Sequence, residues 1–119
     1  MGHRTAALLM IAGLLPAGGT EAALERIEEA FEVALTQVEL PLHDAGQVRL
    51  APCADCERIA LPVGPRTRYL IGYDGDGQPL EAFREAAAGV GNPRSALVVV
   101  IYDTATREVT RLILDVPRR

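Results

Sequence analysis

The first regular pattern along the chain is helical. Between residues 21 and 38 apolar side chains recur three and four positions apart, with glutamates on the opposite face. This period predicts an amphipathic helix. Pro41 ends it, because proline cannot continue a helix. The apolar positions are Leu24, Ile27, Phe31, Ala34, Leu35 and Val38.

Beyond residue 46 the pattern becomes that of strands. Short runs rich in β-branched and apolar residues alternate with turn-forming glycine, proline and aspartate, which predicts strands joined by turns. The run from 96 to 102 is almost wholly apolar, so we expect a central strand that is covered on both faces. The predicted strands span 47–51, 58–63, 67–73, 96–102 and 108–114.

A second helix is predicted after the turn cluster at 74–77. Pro79 suits the first helical position, and Gly89 or Gly91 followed by Pro93 ends the helix. Apolar residues three and four apart predict its buried stripe, which is Leu80, Phe83, Ala87 and Val90.

Together these elements predict an α+β fold, with an N-terminal amphipathic helix and a small antiparallel sheet of about five strands. The second helix falls between strands 3 and 4 of this count. Three strands, a helix and two strands is also the order of an OB-type barrel. An open antiparallel sheet with both helices on one face fits the same order. The spacing of the elements leaves both arrangements open.

The first 22 residues have the three parts of a secretory signal peptide. Arg4 supplies the positive charge, an apolar run from 6 to 15 follows, and small residues allow cleavage before Thr20 or Ala23. The run is about half of the ~20 apolar residues that a membrane span needs. We therefore expect a periplasmic or secreted protein, with a single small domain over 23–119 and no stable membrane span after cleavage.

The charge balance disfavours a nucleic-acid partner. The chain of 119 residues has 12 basic residues, all arginine, against 16 acidic ones, and its net charge is −4. Binding to nucleic acid depends largely on basic side chains that neutralise phosphates. No basic stripe of that kind is present in this sequence.

The strongest chemical motif is the pair Cys53-x-x-Cys56. Such a pair can form a structural disulfide, a redox-active couple, or half of a metal site. His43 could add a third metal ligand, and Asp44 or Asp55 a carboxylate. An even number of cysteines in an exported protein is explained most simply by one intrachain disulfide, so no metal and no cofactor are predicted.

Two weaker motifs, one for calcium binding and one for a hydrolase nucleophile, have plainer explanations. Asp74, Asp76, Gln78 and Glu85 match four positions of a calcium-binding EF-hand loop, but Pro79 stands where that loop needs glycine. Ser95 is the only serine and lacks the Gly-x-Ser-x-Gly setting of a hydrolase nucleophile. Neither pattern predicts a site.

Two functional hypotheses follow from the sequence. The first is a non-catalytic binding or interaction module, not an enzyme, with a protein or small-molecule partner that the sequence does not identify. The second is a periplasmic protein that handles thiols, disulfides or metal through Cys53 and Cys56.

The signal-peptide interpretation makes a direct prediction. We expect the exported protein to begin at Thr20 or Ala23, because the small residues before these positions suit the cleaving peptidase. N-terminal sequencing of protein recovered outside the cytoplasm measures this, and material that still begins at Met1 would contradict it.

Overall fold

The protein is mostly β, in a computed structural model that describes residues 27–117. The predicted signal peptide and residues 23–26 lie outside the described residues. The strands are β1 (Glu28–Ala34), β2 (Val38–Glu39), β3 (Gln47–Leu50), β4 (Ile59–Pro62), β5 (Arg68–Ile71), β6 (Gly77–Gln78), β7 (Leu97–Asp103) and β8 (Val109–Asp115). A short 3-10 turn (Leu35–Gln37) joins β1 to β2, and helix α1 (Leu80–Ala88) lies between β6 and β7.

The strands form two sheets. The larger has five strands in the order β1-β7-β8-β5-β6, and the smaller has three in the order β2-β3-β4. All neighbouring strands are antiparallel except β5 and β8, which run parallel. The 3-10 turn after β1 therefore passes the chain from one sheet to the other.

One apolar core joins the two sheets and α1. Val98 and Val100 of β7 are fully buried in it, together with Val48 and Leu61 of the smaller sheet. Phe83 of α1 is also fully buried, and its ring packs on that of Tyr69, with 5.7 Å between centroids. Both sheets and α1 thus contribute to one main core among the described residues.

Strand β7 is apolar on both faces, as its sequence predicts, but it lies second in the larger sheet, between β1 and β8, rather than at its centre. Val99 points away from the main core and packs with Leu70 and Ile113 in a second cluster on the other face of the sheet. These three side chains are also buried. No helix within residues 27–117 combines the length and apolarity needed to cross a membrane.

The predicted N-terminal helix is wrong over its described part. Residues Glu28–Ala34 form strand β1, which pairs with β7 along its whole length. Phe31 stacks on Tyr102 with 5.5 Å between ring centroids, and the Tyr102 hydroxyl donates to Glu29 at 2.9 Å. Pairing with the most apolar strand outweighs the helical spacing, because tertiary contacts override local propensity.

The predicted α+β arrangement is also wrong in its sheet and in the position of its helix. There are two sheets rather than one antiparallel sheet, open or closed into an OB-type barrel. The helix follows the sixth strand instead of the third. The segment that forms β1 has the spacing of a helix, and the two-residue strands β2 and β6 are too short to show a periodic pattern. The five longer segments predicted as strands do form β3, β4, β5, β7 and β8.

The burial of Val99 makes the first structural prediction. We expect Val99→Asp to unfold the domain, because the new carboxylate would be buried among apolar side chains and paired across the strands with Glu32. An unpaired buried charge costs several kcal/mol against a total stability of about 5–15 kcal/mol. Thermal melting followed by circular dichroism measures the loss.

Thr106→Asp is the matched control, since Thr106 is exposed in the turn between β7 and β8. This variant should melt near the wild-type temperature. A folded Val99→Asp protein with the same melting temperature would show that this face of the sheet is not part of the structural core.

Candidate functional site

The predicted disulfide between Cys53 and Cys56 is confirmed. The two residues are bonded in the loop between β3 and β4, with 5.0 Å between their Cα atoms. The Cys56 amide donates to the Cys53 carbonyl at 3.2 Å, which closes a turn. Both cysteines are exposed. The bond is consistent with an oxidising compartment outside the cytoplasm.

The surroundings of this disulfide favour a structural role. The exposed residues Glu57 and Arg58 follow it and lead into strand β4, so the pair does not stand at the start of a helix that would lower a thiol pKa. Arg58 forms an ion pair with Glu39 of β2 at 2.6 Å. The turn is thereby tied to the edge of the smaller sheet.

The structure does not assemble the metal sites that the sequence left open. Among the described side chains, no group of three or more His, Cys, Asp or Glu residues is placed to hold a metal ion. His43 instead lines a cleft beside the start of α1. Asp74 lies in an exposed turn before β6, and Glu85 lies on the exposed side of α1.

One cleft lies between the β2–β3 loop and the first turn of α1. Its volume is about 530 Å³. The loop is fixed by the buried Pro41 and by a turn in which the Gly46 amide donates to the His43 carbonyl at 2.9 Å. The lining side chains are Leu42, His43, Asp44, Pro79, Leu80, Glu81 and Arg84.

A second cavity of about 360 Å³ adjoins this cleft and shares Asp44, Pro79 and Leu80 with it. Its inner wall includes Thr67 and Tyr69 of the β4–β5 region. We refer to this smaller space as the inner cavity and to the larger one as the outer cleft. The outer cleft and the inner cavity bring together the β2–β3 loop, the β4–β5 region and the start of α1, which are distant from one another in sequence.

The two polar side chains of the inner wall differ in hydrogen bonding. The Thr67 hydroxyl accepts from the Gly64 amide at 2.9 Å and donates to the Val109 carbonyl at 2.7 Å. The Tyr69 side chain is only 4% exposed, and its hydroxyl has no hydrogen-bond partner anywhere in residues 27–117. Tyr69 is therefore a buried donor that the described chain leaves unsatisfied.

The environment keeps this hydroxyl protonated. Burial raises the pKa of Tyr69 to about 12, and the nearby charge of Asp44 adds to the effect. Both act in the same direction, because each disfavours a phenolate. Tyr69 is thus a neutral hydrogen-bond donor at physiological pH.

The start of α1 supplies further unused donors. Pro79 is the N-cap residue and makes no side-chain capping bond. The first amide that bonds within the helix is that of Phe83, which donates to the Pro79 carbonyl at 3.1 Å. The amides of Leu80, Glu81 and Ala82 precede it and have no intrahelical acceptor.

Sequence reasoning considered His43 and Asp44 as metal ligands, and it did not single out Tyr69 or Arg84. The sequence does hold one signal for Tyr69, which is a tyrosine at an inward-facing strand position. A buried tyrosine usually needs a hydrogen-bond partner for its hydroxyl.

Comparison of the chain with protein-family models, curated proteins and solved structures finds no significant match.

The exposed position of the disulfide predicts a small effect on stability. We expect the Cys53→Ser, Cys56→Ser double variant to fold and to lose at most about 2 kcal/mol, because the closed loop is very short and restrains little unfolded-state entropy. Urea unfolding measures the difference. A larger loss would show that the turn anchors the smaller sheet.

The raised pKa of Tyr69 predicts a loss of stability at alkaline pH. The phenol has a pKa of about 12 when folded and about 10 when unfolded, so it ionises first in the unfolded chain. The free energy of unfolding should therefore fall as pH rises from about 10 towards about 12. The part of this decline in stability that comes from Tyr69 should be absent from the Tyr69→Phe variant.

Urea unfolding of both proteins at about pH 9 and about pH 11 measures the difference. Tyr73 and Tyr102 are present in both proteins, so to first order their contributions cancel. An equal decline in the two proteins would contradict the buried state of the Tyr69 hydroxyl.

Proposed function

We propose that this chain is an exported, non-catalytic module that binds a small polar ligand between the β2–β3 loop and α1. The observation that carries the proposal is the buried Tyr69 hydroxyl, which lacks a partner within the described residues and belongs to a residue that lines the inner cavity. The predicted signal peptide and the disulfide support a periplasmic or secreted location.

A buried donor without an acceptor is costly. Leaving such a group unsatisfied typically costs about 1–3 kcal/mol, and exceptions in native proteins often mark functional positions. The volumes of the outer cleft and the inner cavity, about 530 Å³ and about 360 Å³, each lie within the roughly 300–1,000 Å³ that is usual for small-molecule sites. A ligand acceptor that reached the Tyr69 hydroxyl would satisfy it.

The arrangement of the reactive side chains supports binding rather than catalysis. Ser95 lies in the turn after α1, where its hydroxyl donates to the Asn92 carbonyl at 3.0 Å. His43 lines the outer cleft beside the start of the same helix. The serine hydroxyl is therefore not directed at the histidine, as a nucleophile and its base would be.

A thiol-handling role is the second candidate, because both cysteines of the disulfide are exposed. The rate at which glutathione reduces the disulfide distinguishes the thiol-handling role from the binding module. A pair that exchanges rapidly and transfers its oxidation to a dithiol peptide would support the thiol role, whereas slow reduction with unchanged ligand binding in the outer cleft supports the binding module.

A fragment screen tests the binding proposal. Anionic, cationic, zwitterionic and neutral fragments at millimolar concentration are added to the isotope-labelled protein, and amide shifts are followed by NMR. We expect at least one fragment to shift the amides of residues 43–46 and 80–82. The Cys53–Cys56 turn should stay unchanged. Shifts confined to that turn, or no shifts with any fragment, would contradict the proposal.

A further inference from the structure

Strand β1 is the longest strand at an open sheet edge in the described chain. The larger sheet ends at β1 and β6, and the smaller sheet ends at β2 and β4. β2 and β6 have two residues each, and β4 has four residues and ends at Pro62. Short strands and proline are common means of protecting a sheet edge from pairing with another chain. β1 has seven residues and no proline, so its edge lacks both of these protections.

The backbone of β1 bonds alternately to β7 and to nothing in the described chain. Just beyond the strand, the Leu35 amide donates to the Ala96 carbonyl at 2.9 Å. The register between β1 and β7 contains no bulge, so every odd-numbered residue of β1 bonds to β7 in the same way. The even-numbered residues direct their amides and carbonyls to the open edge. Three of these residues are Glu28, Ala30 and Glu32.

The glutamates of β1 do not cover this open edge. Each of the three accepts a hydrogen bond from a hydroxyl of its own sheet, on the side of β1 that faces away from the edge. The donors to Glu28, Glu29 and Glu32 are Thr110, Tyr102 and Tyr73, at 2.7, 2.9 and 3.5 Å respectively. Charged side chains that could guard the edge are thereby held over the sheet, and the backbone at the edge stays accessible.

We propose that β1 is the interface of a homodimer, in which two copies of this chain pair antiparallel along their β1 edges. A twofold axis brings the same edge of each copy together. Each outward-pointing amide then meets a carbonyl of the other copy, and the two larger sheets become one continuous sheet. This interaction surface lies apart from the candidate ligand site and does not depend on the binding function proposed above.

The charges of β1 select one register for this pairing. Outward-pointing residues must pair with one another, so the possible twofold axes lie at successive positions along the strand. An axis at Ala30 or at Glu32 would place glutamates directly opposite one another, which is destabilising. An axis at Phe31 pairs all seven residues and places Ala30 opposite Glu32 of the other copy. The remaining glutamates then face Ala34 and Val33, so no glutamate directly faces another.

Phe31 adds an aromatic contact at the centre of this interface. Its ring stacks on Tyr102 with 5.5 Å between centroids, and its side chain is only half-buried. With the axis at Phe31, the two copies of this residue form a non-hydrogen-bonded pair, in which side chains approach most closely. Aromatic cross-strand pairs stabilise a sheet. The dimer would therefore cover the part of the Phe31 ring that the single chain leaves exposed.

Sedimentation velocity of the purified exported protein, at concentrations from about 1 µM to about 1 mM, tests the proposal. A salt concentration of about 0.15 M screens the glutamates that remain diagonal to one another. We expect a concentration-dependent dimer. Ala30→Pro should be monomeric, because proline removes an amide that points to the open edge and no hydrogen bond to β7. Its circular dichroism spectrum should match that of the wild type.

Charge substitutions at Ala30, which is exposed, test the register. Ala30→Lys should tighten the dimer about threefold or more, because the new ammonium group faces Glu32 of the other copy. Ala30→Glu should weaken it by a similar factor, because two carboxylates then face each other. The matched control is Ala105→Glu in the exposed turn between β7 and β8, which should leave the dissociation constant unchanged.

A protein that stays monomeric over the whole concentration range would overturn the proposal. A dimer that persists in a folded Ala30→Pro variant would also overturn it, because the interface would then lie elsewhere. If the proline variant does not fold, the two charge variants decide. Equal dissociation constants for Ala30→Lys, Ala30→Glu and the wild type would exclude β1 from the interface, whereas opposite shifts would support the register centred on Phe31.

Discussion

Strand β7 is the element on which the rest of the fold depends, because it is apolar on both faces and paired on both edges. β1 pairs with one edge and β8 with the other. Val98 and Val100 face the main core, and Val99 faces the second cluster. A strand of this kind is stable only when both faces are covered. It therefore fixes the plane of the larger sheet, and α1 and the smaller sheet pack on the face that carries Val98 and Val100.

This plane also positions the candidate site. β5 joins the sheet by parallel pairing with β8, which places Tyr69 beside Leu112 on the core face. The ring of Tyr69 packs on Phe83 in the first half of α1. The start of α1 is thereby held against the sheet next to the Tyr69 hydroxyl. The β2–β3 loop, with Asp44, closes the space from the smaller sheet. The candidate site thus lies where the β2–β3 loop, the β4–β5 region and the start of α1 meet.

The parts of the structure that were predictable from sequence are those specified by local pattern. The run at 97–101 is apolar enough to require a strand that is covered on both faces, and Leu80, Phe83 and Ala87 specify the buried face of α1. β1 was mispredicted because the spacing of its glutamates and apolar residues also suits a helix. Only its pairing with β7 decides between the two. The cysteines are neighbours in sequence, so their bond was predictable. Tyr69 and Asp44 meet only in the folded chain.

Packing alone does not explain why position 69 is a tyrosine. A phenylalanine would present the same ring to Phe83 without burying a hydroxyl that finds no partner in the described chain. The cost of such a group, about 1–3 kcal/mol, is a large fraction of a total stability of about 5–15 kcal/mol. An acceptor that reaches this hydroxyl, whether an ordered water or a ligand, would offset that cost. The periodicity of the sequence does not reveal whether the Tyr69 hydroxyl has a partner. An inward-facing aromatic residue gives the same pattern whether or not its hydroxyl is paired. What distinguishes Tyr69 is a hydrogen bond that the described chain does not make with itself.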